Sequence, residues 1–292
     1  MYSRLSGKDK LQRCVNRGGK TVTDPYKTIK AEVLKVTDET SNIKSFLLKP
    51  EKKFSFRTGQ FVQFTVPGIG EAPFTPSSSH FEKDEIEITI MKAGRVTSRI
   101  HELKPKDIIG IRGPLGKGYP LEEFEGKEIL ILGGGVGMAP LRCLLLSLLE
   151  EKDKYGRILL LYGSKTPGDI VYAGQFADWK KRGAEIYRSV DRCDTGEWKE
   201  KKGVVTCLFE GLKLNPNNGV AVVCGPPIMM KFGTMKLLEV GYKPENIYLS
   251  MEKNMSCGIG KCGHCACGKY FACKDGPVFK YSVVKDIEGI WD

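Results

Sequence analysis

The 292-residue chain is long enough for two ordinary domains with extensions, and at 41% hydrophobic and 28% charged it has the make-up of a soluble globular protein. Its formal net charge of +11 raises nucleic acid as a partner, but Lys127, Lys180, Lys181, Lys201 and Lys202 fall in different segments and form no single stripe. The longest apolar candidate, Leu141 to Leu149, is interrupted by Arg142, Cys143 and Ser147, so membrane insertion is not expected either.

Residues 1–26 are polar and basic and lack the apolar core of a secretory signal; they read as an arm, with docking onto a partner as its functional reading. From residue 27 to 122 short alternating runs (Ala31 to Val36, Ser45 to Leu48, Gln60 to Val66, Glu85 to Ile90, Ile108 to Arg112) are separated by Gly, Pro and Asp clusters, the pattern of a small antiparallel β barrel. Within it, Ala72 to Ser79 reads as a Pro/Ser-rich loop. Gly94 leads into a short helix capped by Thr97 or Ser98. Between 123 and 250 the pattern changes to fully apolar strands, at 128–132, 158–162, 185–189 and 220–224, with helices between them, the first from Leu141 to about Glu150. This alternation predicts a parallel α/β sheet.

Two turns at strand ends carry chemistry. Gly133-Gly-Gly-Val-Gly-Met-Ala-Pro140 follows a strand and opens a helix, where backbone N–H groups bind phosphate and glycine permits close approach. Cys224-Gly-Pro-Pro-Ile-Met229 ends another strand and borders the same crevice. Either is also a plain structural turn when taken alone. After a third strand, Asp191 would accept from a ribose 2′-hydroxyl, while Arg192 suits a 2′-phosphate. The acidic residue tips the reading toward NADH over NADPH.

Residues 251–292 hold Cys257, Cys262, Cys265 and Cys273 in the spacing C-x4-C-x2-C-x7-C, whose first three positions match plant-type [2Fe–2S] proteins. Zinc sites favour paired C-x2-C knuckles, and only one such pair stands clean here; disulfides would require an oxidising compartment. Cys267 is a fifth thiol that competes as a ligand. Ten cysteines around such a motif point to a reducing cytoplasm.

Taken in order, Gly59-Gln-Phe-Val62, Ala72-Pro-Phe-Thr75, Gly94-Arg-Val-Thr-Ser98, Gly134 to Pro140 and Cys224 to Met229 resemble the ferredoxin–NADP reductase superfamily. The cluster followed by Cys273-Lys-Asp-Gly-Pro-Val-Phe279 resembles its iron–sulfur electron-transfer subunits, those of dihydroorotate dehydrogenase, anaerobic sulfite reductase and sulfhydrogenase. The resemblance implies FAD held by Pro73, Phe74 and Thr75, with Thr75 near the flavin N5, and by Gly94, Arg95, Val96, Thr97 and Ser98. It implies an NAD(P)H pyrophosphate on Gly134, Gly135, Gly137, Ala139 and Pro140. The nicotinamide would lie beside Cys224, Gly225, Pro226, Pro227 and Met229, with Thr75 and Cys224 as the catalytic pair. The chain departs from the family's Arg-x-Tyr-Ser/Thr pattern at Ala72 and Phe74, which leaves the flavin pyrophosphate charge to the 94–98 helix start and Arg95 and keeps FMN as an alternative. Electrons would pass between NAD(P)H, flavin and cluster, and on to a partner redox subunit or a ferredoxin; a zinc-bearing, non-enzymatic module is the remaining alternative. The three histidines, His80, His101 and His264, read as structural or as tuning the cluster, not as catalytic.

Overall fold

The first half of the chain closes into an antiparallel, barrel-like sheet. Its strands are β1 (Ile29–Asp38), β2 (Ile43–Pro50), β3 (Phe61–Val66), β4 (Gly70–Phe74), β5 (Ile86–Met91) and β6 (Ile108–Leu115), with helix α1 (Arg95–Ile100) between the last two. They pair in the order β4-β3-β6-β1-β2-β5. Alternation sends Phe46, Leu48, Ile86, Ile88, Ile90, Ile109 and Ile111 into one core. The structure, a computed structural model, describes residues 24–194, 196 and 198–291. Most of the expected N-terminal arm, with Cys14, lies outside them.

Two local expectations change. Residues 72–74 are not loop: they belong to β4, where Pro73 stands opposite Gln63 of β3. A proline without an N–H is compatible with a strand at the edge of a sheet, which is where β4 lies. The cap of α1 is Gly94, not Thr97 or Ser98; the Thr97 hydroxyl reaches back to accept from the N–H groups of Ala93 and Gly94.

The second half builds a seven-stranded sheet from β7 (Glu128–Gly134), β8 (Ile158–Ser164), β9 (Ala184–Val190), β10 (Lys201–Lys202), β11 (Gly219–Cys224), β12 (Ile247–Ser250) and β15 (Val278–Lys280), in the order β10-β9-β8-β7-β11-β12-β15. All pairs are parallel except β12 with β15. Ile129 and Ile131 of β7 enter one hydrophobic cluster and Leu130 and Leu132 the other. Both faces of the sheet are therefore covered, which is why its strands read as unbroken apolar runs. Helices α2 (Met138–Glu150), α3 (Phe176–Lys181) and α4 (Pro227–Val240) connect the strands; α2 starts one turn earlier than the sequence suggests. Residues 251–291 supply the small hairpin β13 (Ala266–Cys267) and β14 (Tyr270–Phe271), and helices α5 (Ala272–Asp275) and α6 (Tyr281–Val284). Because β15 extends the nucleotide sheet, this segment is joined to it. Among the described residues no helix is long and apolar enough to cross a membrane.

A buried polar seam fastens the two halves. Arg142 of α2 donates to the Ser77 carbonyl (2.9 Å) and the Glu87 carboxylate (2.7 Å) of the barrel. The Tyr172 hydroxyl donates to Thr89 (2.6 Å), whose own oxygen also meets Ser45 and Ser77. His80 bonds Ser147 of α2 (2.7 Å), so this histidine belongs to the same seam. Removing the tyrosine hydroxyl leaves Thr89 other partners, so Tyr172→Phe is expected to cost only about 1 kcal/mol, measured as a lower urea midpoint with an unchanged far-UV spectrum.

Candidate functional site

The two Gly-rich turns stand side by side because β7 and β11 are neighbours in register, Cys224 opposite Gly133. At Gly137 a Cβ would lie 2.6 Å from the Cys224 carbonyl oxygen and 2.7 Å from the Gly225 α-carbon, so only glycine allows the turns to abut. Gly135 faces open space, and its N–H and that of Gly134 lie at the start of the α2 turn. Met229 lies over the seam between the turns, against Gly134 and Gly225. Ala139 and Pro140 fall inside the first turn of α2, and Pro226 and Pro227 start α4. Asp191 and Arg192 follow β9, exposed, their N–H groups bonded to the carbonyls of Ser164 and Lys165 at the end of β8. The Cys224 thiol is pushed up to about 12, first by burial, and stays protonated at neutral pH.

On the barrel side, β4 has no fully buried residue, unlike the other five strands of its sheet. Its Pro73 and Phe74, and Thr75 just beyond, form a half-covered ledge, and α1 packs beside it, with Val96 against Gly70. Arg95 is exposed and forms no ion pair among the described residues, which leaves its charge for an anionic group. Thr97 is different: its hydroxyl is engaged by Ala93 and Gly94 and serves the helix start. Ser98 is half-exposed on the same turn. A flavin with a diphosphate fits this donor set. Absence of the family's arginine at Ala72 is not made good by the buried Arg112, which is committed to Glu71.

Cys257, Cys262 and Cys265 lie on one loop and Cys273 follows in α5, and backbone N–H groups point at their sulfurs. Cys257 Sγ accepts from the N–H groups of Ile259, Lys261 and Cys262, Cys273 Sγ from that of Gly260 (3.0 Å), and Cys265 Sγ from that of Cys273. Such donors stabilise thiolate, the form that binds metal. Backbone hydrogen bonds at Cys257 and His264 pull the exposed Cys262 thiol down to about 7, whereas burial pushes Cys273 up to about 12. Among the described residues no three His, Cys, Asp or Glu side chains gather around one ion. Cys267 is buried in β13, in the same hydrophobic cluster as Cys257, Cys265 and Cys273. His264 bonds Ser256 (2.8 Å), tying the loop's entrance to its centre.

Three family models match the chain: an oxidoreductase FAD-binding domain over residues 30–119, an oxidoreductase NAD-binding domain over 131–234, and the iron–sulfur cluster binding domain of dihydroorotate dehydrogenase B over 252–285. Sulfhydrogenase 1 subunit gamma of Pyrococcus furiosus is 39% identical over 283 residues, spanning 92% of this chain and 96% of that one. This chain belongs to the ferredoxin–NADP reductase-like electron-transfer subunits. The probable electron transfer subunit of dihydroorotate dehydrogenase B (NAD(+)) of Methanocaldococcus jannaschii is 32% identical over 258 residues, 87% of this chain and 90% of that one. Among solved structures, an NADH-dependent reduced ferredoxin–NADP oxidoreductase studied for flavin-based electron bifurcation superposes with a TM-score of 0.71 at 27% identity, over 88% of this chain and 89% of that one. A ferredoxin–NADP reductase of Neisseria gonorrhoeae with bound FAD and NADP shares the fold at 19% identity (TM-score 0.66; 76% of this chain, 97% of that one). The chain of this flavin oxidoreductase family thus carries FAD-binding, NAD-binding and iron–sulfur domains, as the sequence motifs imply.

Sequence reasoning missed the residues that join these parts, Arg112, Glu71 and Gln63. Arg112 sits in an alternating strand where Ile109 and Ile111 face the core, so the pattern marks it as outward and solvated. It is 3% exposed, because the cluster loop covers that face. Gly137→Ala is expected to force the two turns apart, lowering stability by about 1–3 kcal/mol and raising the KM for NADH at least as much as it lowers kcat. Thermal melts and steady-state kinetics with a dye acceptor check this.

Proposed function

We propose that this chain is the NAD(P)H-side electron-transfer subunit of a larger redox assembly, with a [2Fe–2S] cluster on Cys257, Cys262, Cys265 and Cys273. The observation that carries the reading is four cysteines within a segment that matches an iron–sulfur cluster binding domain, with backbone N–H groups turned toward their sulfurs. When bound, FAD and the cluster supply the exchange between a two-electron nicotinamide and single-electron carriers.

The chain's own residues bind, orient and exclude water. We assign the flavin to the β4 ledge of Pro73, Phe74 and Thr75, with Gly94 to Ser98 beside it and Arg95 as the cation for its diphosphate. The turn at Gly134, Gly135, Gly137, Ala139 and Pro140 holds the nucleotide diphosphate on backbone N–H groups. Gly225, Pro226, Pro227 and Met229 border the nicotinamide; Cys224, a neutral thiol, packs there without acting as a nucleophile. Asp191 favours an unphosphorylated ribose, with Arg192 beside it. The domain limits that fit these assignments are 27–122, 123–250 and 251–292, and the cytoplasm is the compartment. The sulfhydrogenase and dihydroorotate dehydrogenase relatives are named as subunits, which supports a stable redox partner over a self-sufficient reductase.

Anaerobic titration with NADH and, separately, NADPH tests this reading by visible absorbance and low-temperature EPR. Flavin bleaching followed by a reduced [2Fe–2S] signal is expected, with NADH the better donor; a colourless, zinc-containing protein would sink the proposal. Asp191→Ala is expected to narrow the NADH preference by about tenfold, the worth of one good hydrogen bond. In Cys262→Ser the EPR signal is expected to vanish while NADH still bleaches the flavin. Loss of bleaching in that folded variant would contradict the order of transfer.

A further inference from the structure

Arg112 is a buried cation that the nucleotide and flavin sites do not use. It leaves the outward face of β6 beneath the cluster loop. Its Nη1 donates to the carbonyl of Cys257 (2.9 Å) and to that of Pro25 (3.3 Å), and its Nη2 to the Glu71 carboxylate (2.7 Å). Tyr26 lies against the guanidinium, 5.4 Å from its ring centroid. Glu71 stands on β4, opposite Thr65, whose hydroxyl donates to its second oxygen (2.8 Å). Beside this pair, Gln63 is fully buried, its amide nitrogen facing the Met255 carbonyl at 3.5 Å. The contact is close: a Cβ on Gly258, whose φ is +73°, would fall 2.8 Å from Leu115 and 3.4 Å from both Arg112 and Gln63.

An isolated guanidinium is costly to bury, and here it is met by one carboxylate and two carbonyls. Burial alone would raise the Glu71 carboxyl, but the hydrogen bonds from Arg112 and Thr65 outweigh it and hold it below the usual carboxylate range. Glu71 is therefore a carboxylate at neutral pH, facing the Arg112 guanidinium. At one end Arg112 bonds the carbonyl of the proposed cluster ligand Cys257 itself, and at the other Glu71 stands two residues before Pro73 of the ledge.

We propose that Arg112 is a positioning residue for electron transfer: with Glu71 as counter-ion, it clamps the Cys257 carbonyl to the flavin-binding sheet and sets the reduction potential of the cluster. The proposal rests on the reading of Cys257, Cys262, Cys265 and Cys273 as ligands of a [2Fe–2S] cluster. Reduction adds one electron to the cluster and makes or breaks no bond. A buried cation beside a ligand favours that added negative charge, and a neighbouring carboxylate opposes it.

An EPR-monitored redox titration of the full holo-protein, with dithionite as reductant and iron and sulfide counted per chain, tests the idea in two variants. Glu71→Gln keeps an oxygen for Arg112 but leaves its charge unbalanced, and is expected to raise the midpoint by about tenfold in the one-electron equilibrium, or about 59 mV. Arg112→Gln removes the cation and is expected to lower it by a similar factor. Opposite shifts at full cluster content support the clamp, because general loosening of the loop would move both variants the same way. Unchanged midpoints, or shifts of one sign, overturn it. Where Arg112→Gln fails to retain a cluster, Glu71→Gln decides alone: a raised midpoint supports the proposal, and an unchanged or lowered one overturns it. A wild-type protein without a two-iron spectrum overturns the ligand assignment, and the proposal with it.

Discussion

One helix ties the nucleotide site to the barrel. The N-terminal turn of α2 is the Gly-rich turn itself, and a few residues later Arg142, Cys143 and Ser147 of the same helix touch the barrel. Cys143 is counted in the barrel's own core. Since the helix is rigid, the position of the nucleotide turn relative to the β4 ledge is fixed by how α2 docks. That docking is polar and buried: Arg142 spans to Ser77 and Glu87, and its guanidinium lies 4.8 Å from the Tyr172 ring centroid. A seam of this kind is directional, and it specifies one arrangement where an apolar interface tolerates sliding.

The same logic applies at the other end of the molecule. The last segment contributes β15 to the nucleotide sheet and packs its cluster loop on the outward face of β6. The cluster loop therefore has two anchors, one in each half of the chain. A loop with many N–H groups turned toward sulfur has few left for its own secondary structure, so its rigidity comes from these outside contacts.

Ser77 shows how a motif splits between roles. It lies within the same Pro/Ser-rich stretch as Pro73 to Thr75, yet it is fully buried and bonded to Thr89 and Arg142 in the seam. Pro73 to Thr75 remain on the open ledge. The composition of the stretch does not separate the two groups, because both need small polar residues and prolines near a turn. Their division is set by which side the neighbouring helix α2 covers.

What the sequence alone determined is what lies close together along it. Cysteine spacing, the strand–glycine–helix turn and the switch from alternating to unbroken apolar runs each sit within a few residues, and local backbone geometry decides them. The barrel, the parallel sheet and the cluster loop were legible for that reason. The strand at 70–74 was not, since Pro73 mimics a loop unless one knows that β4 is an edge. Only the tertiary structure decided that Gly137 meets Cys224 and Gly225, that β15 closes the sheet, and that Arg112 meets Cys257 across 145 residues of chain. A lone charge in an alternating strand looks the same whether water or a protein loop covers it. Its cover comes from residues distant in sequence, and no local pattern records them.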